Sequence, residues 1–458
     1  MGPTRNGPLL EHGEAGAPRP HGQASPRTAG PLPADVLLRA RRLEELLGDP
    51  REPGNPYGFE ALAASGTRGL PGLRPLVAVE VLPAARGGRF TDADLLVRAL
   101  RPLLRRDLAA GYACVSEALL AVGDGGSQAA RGAVVGHGAV ELTRLLGPAA
   151  LTAAVGTAVR TAFRAVAGAG PHDRGTGRGP TLAGAFADLL ACESLTTAAL
   201  RSTLLPADTG RALRAAAGCV VPVLAGEILD EVVLALTEGG YEPGDLEMRL
   251  CAKVAGDIPY VMEAAGTTAA RRTALGRELP FLAAGSEGDG GRAGAVLFRL
   301  ERHADSGTEE GPADCEAALR ALLTGAAAHV ADGVAAHPAT GLARAARRLL
   351  AERRLLDAPG RSAARAGDSA ASRALADRHA QLLLACTVLG THDAAAHHGS
   401  RFLADPSWAL LALTRLTQRL GIAPAGPVPD ARADVAAELA ARNIQGVDFD
   451  LRATRIPW

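Results

Sequence analysis

This sequence contains almost no stretch in which polar and apolar residues alternate as a half-buried β-strand requires. Only Leu76–Val81 and Val447–Arg455 have a β-like pattern, and two isolated runs are too few for a stable sheet. Alanine, the strongest helix former, dominates the apolar residues, which make up 47% of the chain, whereas aromatic residues make up 3%. We therefore predict an all-α fold of closely packed helices with no β-barrel.

Apolar spacing and Gly/Pro-rich breaks divide the chain into segments. Residues 1–33 are rich in Gly, Pro and Arg without periodicity, which predicts a disordered arm. The other predicted segments are an N-terminal helical domain (34–146), a helical bundle (147–284), a Gly-rich linker with a short element (285–313), an extra helical bundle (314–423) and a tail (424–458). Within the extra bundle, the Ser, Gly, Ala and Arg residues of 357–371 predict a loop.

Charge and cysteine usage exclude several classes of partner. Because 49 basic and 49 acidic residues balance, nothing in the composition favours a nucleic-acid partner. The six scattered cysteines lack ligand spacing and lie in apolar stretches, which predicts buried, reduced thiols in a cytoplasmic protein. We expect no run long and apolar enough to cross a membrane, since the best candidate, Cys219–Leu236, is interrupted by Glu227, Asp230 and Glu231. No membrane partner is therefore expected.

One cluster of potential metal ligands lies on a predicted helix. It consists of His392, Asp393, His397 and His398. Asp393 and His397 share a helix face, but the spacing of known sites such as HExxH is absent. We interpret the cluster as a solvated or hydrogen-bonded helix face and expect no metal.

Short motifs follow one another along most of the chain. They are Leu47–Pro50 with Asn55–Phe59, Arg105–Leu108, Ala185–Leu190, Val220–Leu224, Glu227–Val233, Gly239–Tyr241 with Leu250–Val261, Leu382–Gly399, Trp408–Gly421, and Ala441–Asn443 through Asp450–Arg452. In this order they resemble acyl-CoA dehydrogenases, in particular bacterial members with an enlarged C-terminal helical region. Those enzymes carry a flavin-binding β-domain between two helical domains. Here the flanking segments meet near Glu141–Pro148, so the resemblance implies both helical domains without the middle domain.

The resemblance also locates a catalytic loop. Family members abstract the α-proton of an acyl-CoA with a carboxylate, commonly in a loop that reads Glu-Gly-Thr or Asp-Gly-Ser/Thr. The matching residues here are Ala265, Gly266 and Thr267, and the methyl group of Ala265 cannot accept a proton. Glu263 would point roughly 200° away from Ala265 on a helix. It is either the base of any remaining activity or a surface or structural glutamate.

Few residues of this sequence match the cofactor contacts that the resemblance implies. In the family, an arginine in an Arg-rich turn pairs with the FAD pyrophosphate. The nearest match is Arg164, but the residues after it are rich in Gly and do not form an Arg-rich turn of the family's type. Gly266 and Thr267 are the other candidate cofactor-binding positions. We therefore expect no bound FAD.

Two main functions remain open. The first is a degenerate acyl-CoA dehydrogenase-like protein that serves as a non-catalytic binding or assembly subunit, pairing with itself or with a full-length homologue. The alternative is an FAD-dependent acyl-CoA dehydrogenase that uses Glu263 or residues of a partner. A weaker third option is a protein that binds an acyl thioester in the groove where members of the family bind their substrate. A yellow purified protein would favour the flavoenzyme.

Overall fold

The computed structural model describes residues 33–66, 69–70, 72–80, 93–124, 139–168, 178–205, 209–284, 291–298, 315–328, 337–366, 369–398, 400–423 and 430–458. Apart from Pro33, the predicted disordered arm lies outside these residues. So does most of the predicted linker, of which only the short helix Gly291–Phe298 is described.

The described residues fold into α-helices joined by turns. The helices are α1 (Pro33–Leu47), α2 (Phe59–Ser65), α3 (Leu73–Glu80), α4 (Ala93–Arg106), α5 (Leu108–Asp124), α6 (Ala139–Gly168), α7 (Arg178–Arg201), α8 (Arg211–Glu238), α9 (Leu246–Ala265), α10 (Thr268–Ala284), α11 (Gly291–Phe298), α12 (Cys315–Ala328), α13 (Pro338–Ala366), α14 (Ala370–His398), α15 (Arg401–Ala404), α16 (Pro406–Arg419) and α17 (Arg432–Gln445). Over this part of the chain the β-structure is limited to an isolated antiparallel bridge between Val447 and Arg455. The all-α prediction is confirmed.

One local prediction, the loop at 357–371, is wrong, and one β-like run is helical, because tertiary packing overrides local composition. The β-like run at Leu76–Val81 falls largely within helix α3, whose Leu73 is fully buried. The predicted loop at 357–371 is mostly helical, since α13 continues to Ala366 with Pro359 inside it. At Gly360, a Cβ would lie 3.1 Å from the Ala283 Cβ, so the missing side chain favours the close packing of α13 against α10.

Helix α6 holds the two predicted helical domains together. It runs through the predicted join at Glu141–Pro148, with Pro148 inside it. It contacts α4 and α5 from one predicted domain and α7, α8 and α9 from the other. The buried apolar residues of these helices belong to one hydrophobic core. The segments on either side of the join therefore share a core instead of packing as separate units.

Helices α6 and α7 also correct the expectation about long apolar runs. By length and composition alone, Val140–Ala167 and Leu182–Leu204 are long and apolar enough to cross a membrane. The expectation that no run is long and apolar enough is therefore wrong for these two helices, neither of which is the candidate Cys219–Leu236. In each, 94% of the most apolar part is buried inside the protein, as expected for central helices of a folded core.

All six cysteines are buried and free, so the prediction that they pack as small apolar residues is confirmed.

Candidate functional site

The loop that matches the family's catalytic loop joins α9 to α10. Gly266 ends α9 with φ 94°, in the left-handed region that favours glycine. Thr267 directly precedes the next helix, and its Oγ1 accepts a hydrogen bond from the Ala270 N–H at 3.2 Å. Both residues therefore have a structural role in reversing the chain between two helices.

Ala265 lies where α9 makes its close contact with α6. Its side chain is 1% exposed, and a Cβ built on Gly147 would lie only 2.6 Å from the Ala265 Cβ. The Ala265 carbonyl accepts a hydrogen bond from Nη2 of Arg271 at 2.8 Å. This position is filled by helix packing, and a carboxylate side chain would have to displace α6.

Glu263 points to solvent on the outer face of α9. Ala265 is buried on the opposite side, as expected for residues two apart on a helix. The exposed face also carries Pro259 and Tyr260, and the Tyr260 side chain is 54% exposed. Glu263 therefore lies on a surface, outside any cavity described here.

Arg164 is held by the C-terminal part of the chain. Its Nε donates to Oδ1 of Asn443 at 2.8 Å, and its Nη2 donates to the main-chain oxygen of Trp458 at 3.3 Å. Burial, followed by the neighbouring Arg51, lowers the pKa of Arg164 to about 10. It lies about 25 Å along α6 from Gly147, at 1.5 Å per residue. The structure therefore does not bring Arg164 next to the Ala265–Thr267 loop.

The segment after α17 crosses the bundle and is anchored by buried charges. Asp448 Oδ2 lies 3.0 Å from Nε of Arg101 and 3.3 Å from Nη1 of Arg105. Burial raises the pKa of Asp448, but Arg105, Arg101 and Arg160 outweigh it and bring the pKa to about 2. Arg160, which is fully buried, donates to the main-chain oxygens of Val447 at 2.6 Å and Trp458 at 2.9 Å.

Trp458 completes this anchor at the N-terminal side of the fold. Its Nε1 donates to Oε2 of Glu44 in α1 at 2.7 Å. The Arg160 guanidinium lies 5.2 Å from the centre of its ring system, and the Phe59 ring meets it edge to face at 5.9 Å. Sequence reasoning treated this segment as a tail. The available signal was the alternation of charged residues with Phe449 and Leu451, which indicates one buried face.

A polar cleft lies between α4, α6, α7 and this C-terminal segment. We call it the Asp94 cleft; it contains about 520 Å³ of free space, partly open to solvent. Its charged lining residues are Arg98, Arg101, Arg201, Arg452, Asp94, Glu193 and Asp450. Three threonine side chains, Thr152, Thr196 and Thr197, complete its polar wall.

Glu193 is the carboxyl group of this cleft with the most perturbed ionisation. Burial, together with nearby Asp450 and Asp448, raises its pKa to about 7 despite the ion pair with Arg101. Arg101 stays charged because Glu193, Asp448 and Asp450 outweigh its own burial and raise its pKa. Glu193 and Asp448 both pair with this guanidinium, and the raised pKa of Glu193 lies close to neutral pH.

A second cavity lies beside α9 and is mostly apolar. Its lining includes Phe59, Leu62 and Leu250, together with Lys253 and Asp257. Burial raises the pKa of Asp257, and its carboxylate pairs with Lys253 and accepts the Ala109 N–H at 3.3 Å. This buried carboxylate of α9 is thus already engaged in an internal ion pair.

A second arginine cluster, the Asp188 clamp, joins α16 to α7 and α8. Arg415 Nε donates to Asp188 Oδ2 at 2.8 Å, and Arg419 Nη1 donates to Asp188 Oδ1 at 3.1 Å. Arg415 also pairs with Glu231, and Arg419 pairs with Glu227 at 2.7 Å. Although burial opposes it, Asp188 and the other acids raise the pKa of both arginines.

The predicted histidine cluster gives no metal centre within the ranges described. No group of three or more His, Cys, Asp or Glu side chains is arranged there to hold a metal ion. The ring Nδ1 of His392 forms a hydrogen bond with the Leu403 carbonyl at 3.0 Å.

Comparison with known proteins adds no relative. The chain matches no protein-family model, and no curated protein matches it. The resemblance to acyl-CoA dehydrogenases therefore rests on the motifs quoted above.

Proposed function

We propose that this protein is a non-catalytic binding or assembly subunit, built on helical domains like those that flank the flavin domain of acyl-CoA dehydrogenases. The observation that carries the proposal is the packing of Ala265 against Gly147. The position that would hold the catalytic carboxylate contributes to the contact between α6 and α9. Arg164, which would face the FAD pyrophosphate, instead holds Asn443 and Trp458.

The partner-binding surface in this proposal is the outer face of α9. Its exposed residues are Arg249, Ala252, Ala255, Gly256, Pro259, Tyr260, Glu263 and Ala264. Small side chains allow close approach of another backbone, and an exposed tyrosine is typical of protein interfaces. The partner is a second copy of this chain or a full-length acyl-CoA dehydrogenase homologue.

The assembly test uses a glycine that is free to accept a side chain. A Cβ at Gly256 would meet nothing within 4 Å, so Gly256→Arg leaves the fold intact and obstructs the α9 surface. Gly325 in α12 is equally unobstructed and exposed, which makes Gly325→Arg the matched control. Mass photometry of the chain, alone and mixed with the homologue, measures the assembly.

We expect Gly256→Arg to abolish the assembly and Gly325→Arg to retain it. A wild-type chain that stays monomeric and ignores the homologue would overturn the assembly role. An assembly unaffected by Gly256→Arg would overturn the assignment to α9.

Absorbance spectroscopy and acyl-CoA oxidation with added FAD and an artificial electron acceptor test the non-catalytic part. We expect neither a flavin spectrum nor turnover. Stoichiometric flavin, with turnover that is lost in Glu263→Gln, would establish the alternative, an FAD-dependent acyl-CoA dehydrogenase.

The packing argument has its own test. Ala265→Glu should destabilise the fold by about 3 kcal/mol or more, because it overpacks the α6–α9 contact and buries a charge. Ala264→Glu, one residue away on the exposed side, is the control and should change stability by less than about 0.5 kcal/mol. Chemical denaturation compares the two variants. Equal stabilities would contradict the argument that Ala265 is tightly packed against Gly147.

A further inference from the structure

The exposed face of α9 carries opposite charges at equal distances from Gly256. Arg249 lies seven residues before this glycine, Glu263 lies seven residues after it, and all three residues are exposed. Because seven residues make almost two helical turns, the three positions share one face of the helix. Each charged residue lies about 10 Å from Gly256 along the helix axis, at 1.5 Å per residue. The face is therefore positive at one end, negative at the other and uncharged at its centre.

These two charged side chains are available to a partner molecule. Within the ranges described, neither Arg249 nor Glu263 forms an ion pair or a side-chain hydrogen bond. Lys253 of the same helix behaves differently, since its side chain is 6% exposed and pairs with Asp107 and Asp257 inside the protein. The charges at the two ends of the α9 face are thus the ones that a second molecule is able to meet.

The centre of the face permits close approach of another helix. Gly256 has no side chain, and a Cβ built there would meet nothing within 4 Å. Ala252 and Tyr260 lie four residues to either side of it, and both are exposed. A small side chain at one of these positions leaves room for a large one from the opposing helix. Tyrosine is also enriched at protein interfaces.

We propose that two copies of this chain pair through α9 in an antiparallel arrangement, with a twofold axis at Gly256 that brings Arg249 of each copy opposite Glu263 of the other. A twofold dimer uses the same patch on both copies, so the patch has to be complementary to itself. The α9 face meets this condition for charge, and for size because Tyr260 of each copy lies over Ala252 of the other. A parallel pair would instead bring like charges together.

This inference rests on the proposed assembly role and names a second copy of the chain as the partner at α9. The two proposals fail in different ways. A wild-type chain that is monomeric alone but binds the full-length homologue would overturn the self-pairing and retain the assembly role. A self-assembly that is lost in Gly256→Arg but survives reversal of the charges would overturn the antiparallel arrangement alone.

Reversing the charges one at a time tests the pairing. Analytical ultracentrifugation of the full chain measures the dimer dissociation constant for Arg249→Glu and for Glu263→Arg. Each variant should weaken the dimer at least about 10-fold, because the twofold axis places like charges opposite each other at two contacts. An equimolar mixture of the two variants should dimerise as the wild type does, since every reversed charge then meets its opposite. Both positions are exposed, so the fold is retained, which circular dichroism checks.

Two further variants serve as controls. Arg432→Glu makes the same charge reversal at an exposed position of α17 and should leave the dissociation constant unchanged. The double variant Arg249→Glu/Glu263→Arg should dimerise as the wild type does, because both opposite pairs are restored with their signs exchanged. Equal weakening in Arg432→Glu, or no weakening in either single variant, would overturn the proposal.

Disulfide cross-linking tests the position of the axis. Gly256→Cys places a thiol on the axis, where the two copies approach each other closely enough for a disulfide, which needs Cα atoms within about 7 Å. Glu263→Cys is the matched control, since its counterpart would lie about 20 Å away along the helix axis. The six native cysteines are buried and should not compete. We expect oxidation to yield a covalent dimer of Gly256→Cys only. A covalent dimer of Glu263→Cys, or none of Gly256→Cys, would overturn the proposed geometry.

Discussion

Helix α7 supports two arginine clusters whose charges are paired to different extents. In the Asp188 clamp, Arg415 and Arg419 face three carboxylates, and the pKa of each arginine is raised. At the Asp94 cleft, burial and repulsion from Arg98 lower the pKa of Arg452 to about 9, although Asp94 and Asp450 oppose the change. Arginine content alone therefore does not define a site. The two clusters differ in how far neighbouring acids offset the burial of their arginines.

Breaking the clamp at its centre should have the largest effect. Asp188 is 1% exposed and pairs with both arginines, so Asp188→Asn leaves two cations without their shared partner. We expect a loss of about 3–5 kcal/mol in the free energy of unfolding. Urea denaturation measures it. A loss below about 1 kcal/mol would mean that Asp188 is not the main partner of the two arginines.

Glu193 provides a pH-dependent contrast within the cleft. Its pKa is raised from 4.5 to about 7 in the folded protein, so the folded state favours the protonated form. The stability contribution is fully present below pH 4.5 and is lost as the pH rises through about 7. Glu193→Gln should therefore be more stable than wild type at pH 8, by at most about 3 kcal/mol, and equal to it near pH 4. Denaturation at both pH values gives the result; an advantage that grows at low pH would contradict it.

Removing one arginine from each cluster compares them directly. Arg419→Gln should cost about 2–4 kcal/mol because Asp188 and Glu227 lose a cation that offsets their burial. Arg452→Gln should change stability by less than about 1 kcal/mol, since the lost pair with Asp94 is offset by relief of repulsion from Arg98 and Arg201. Equal costs in thermal and chemical unfolding would show that the two clusters do not differ.

The rim of the clamp should contribute least. The Glu227 side chain is 42% exposed, so solvent screens its pair with Arg419. We expect Glu227→Gln to cost less than about 1 kcal/mol. A cost close to that of Asp188→Asn would place the strength of the clamp at its rim instead of at Asp188.

Much of the fold was accessible from local sequence information. The alanine content and the helical spacing predicted the all-α class. Local signals failed where distant packing decides the conformation. Pro359 and Gly360 favour a loop in isolation, but both lie inside α13, and Gly360 packs closely against Ala283 of α10.

The polar interior was not predictable in the same way. Arg101 and Asp448 form a buried pair across 347 positions of the chain, and nothing in the sequence near either residue identifies the other. The same holds for the contact between Gly147 and Ala265. Periodicity indicates which face of a helix is buried, but not which distant charge that face will meet.

The bond between Trp458 and Glu44 joins residues 414 positions apart, and this separation affects the order of folding during synthesis. Translation at about 5–20 residues per second places roughly 20–80 s between the appearance of the two residues. Helix α1 must wait for that interval before it gains its last native partner. Until then, the nascent chain exposes apolar surface that a chaperone or a protease is able to recognise.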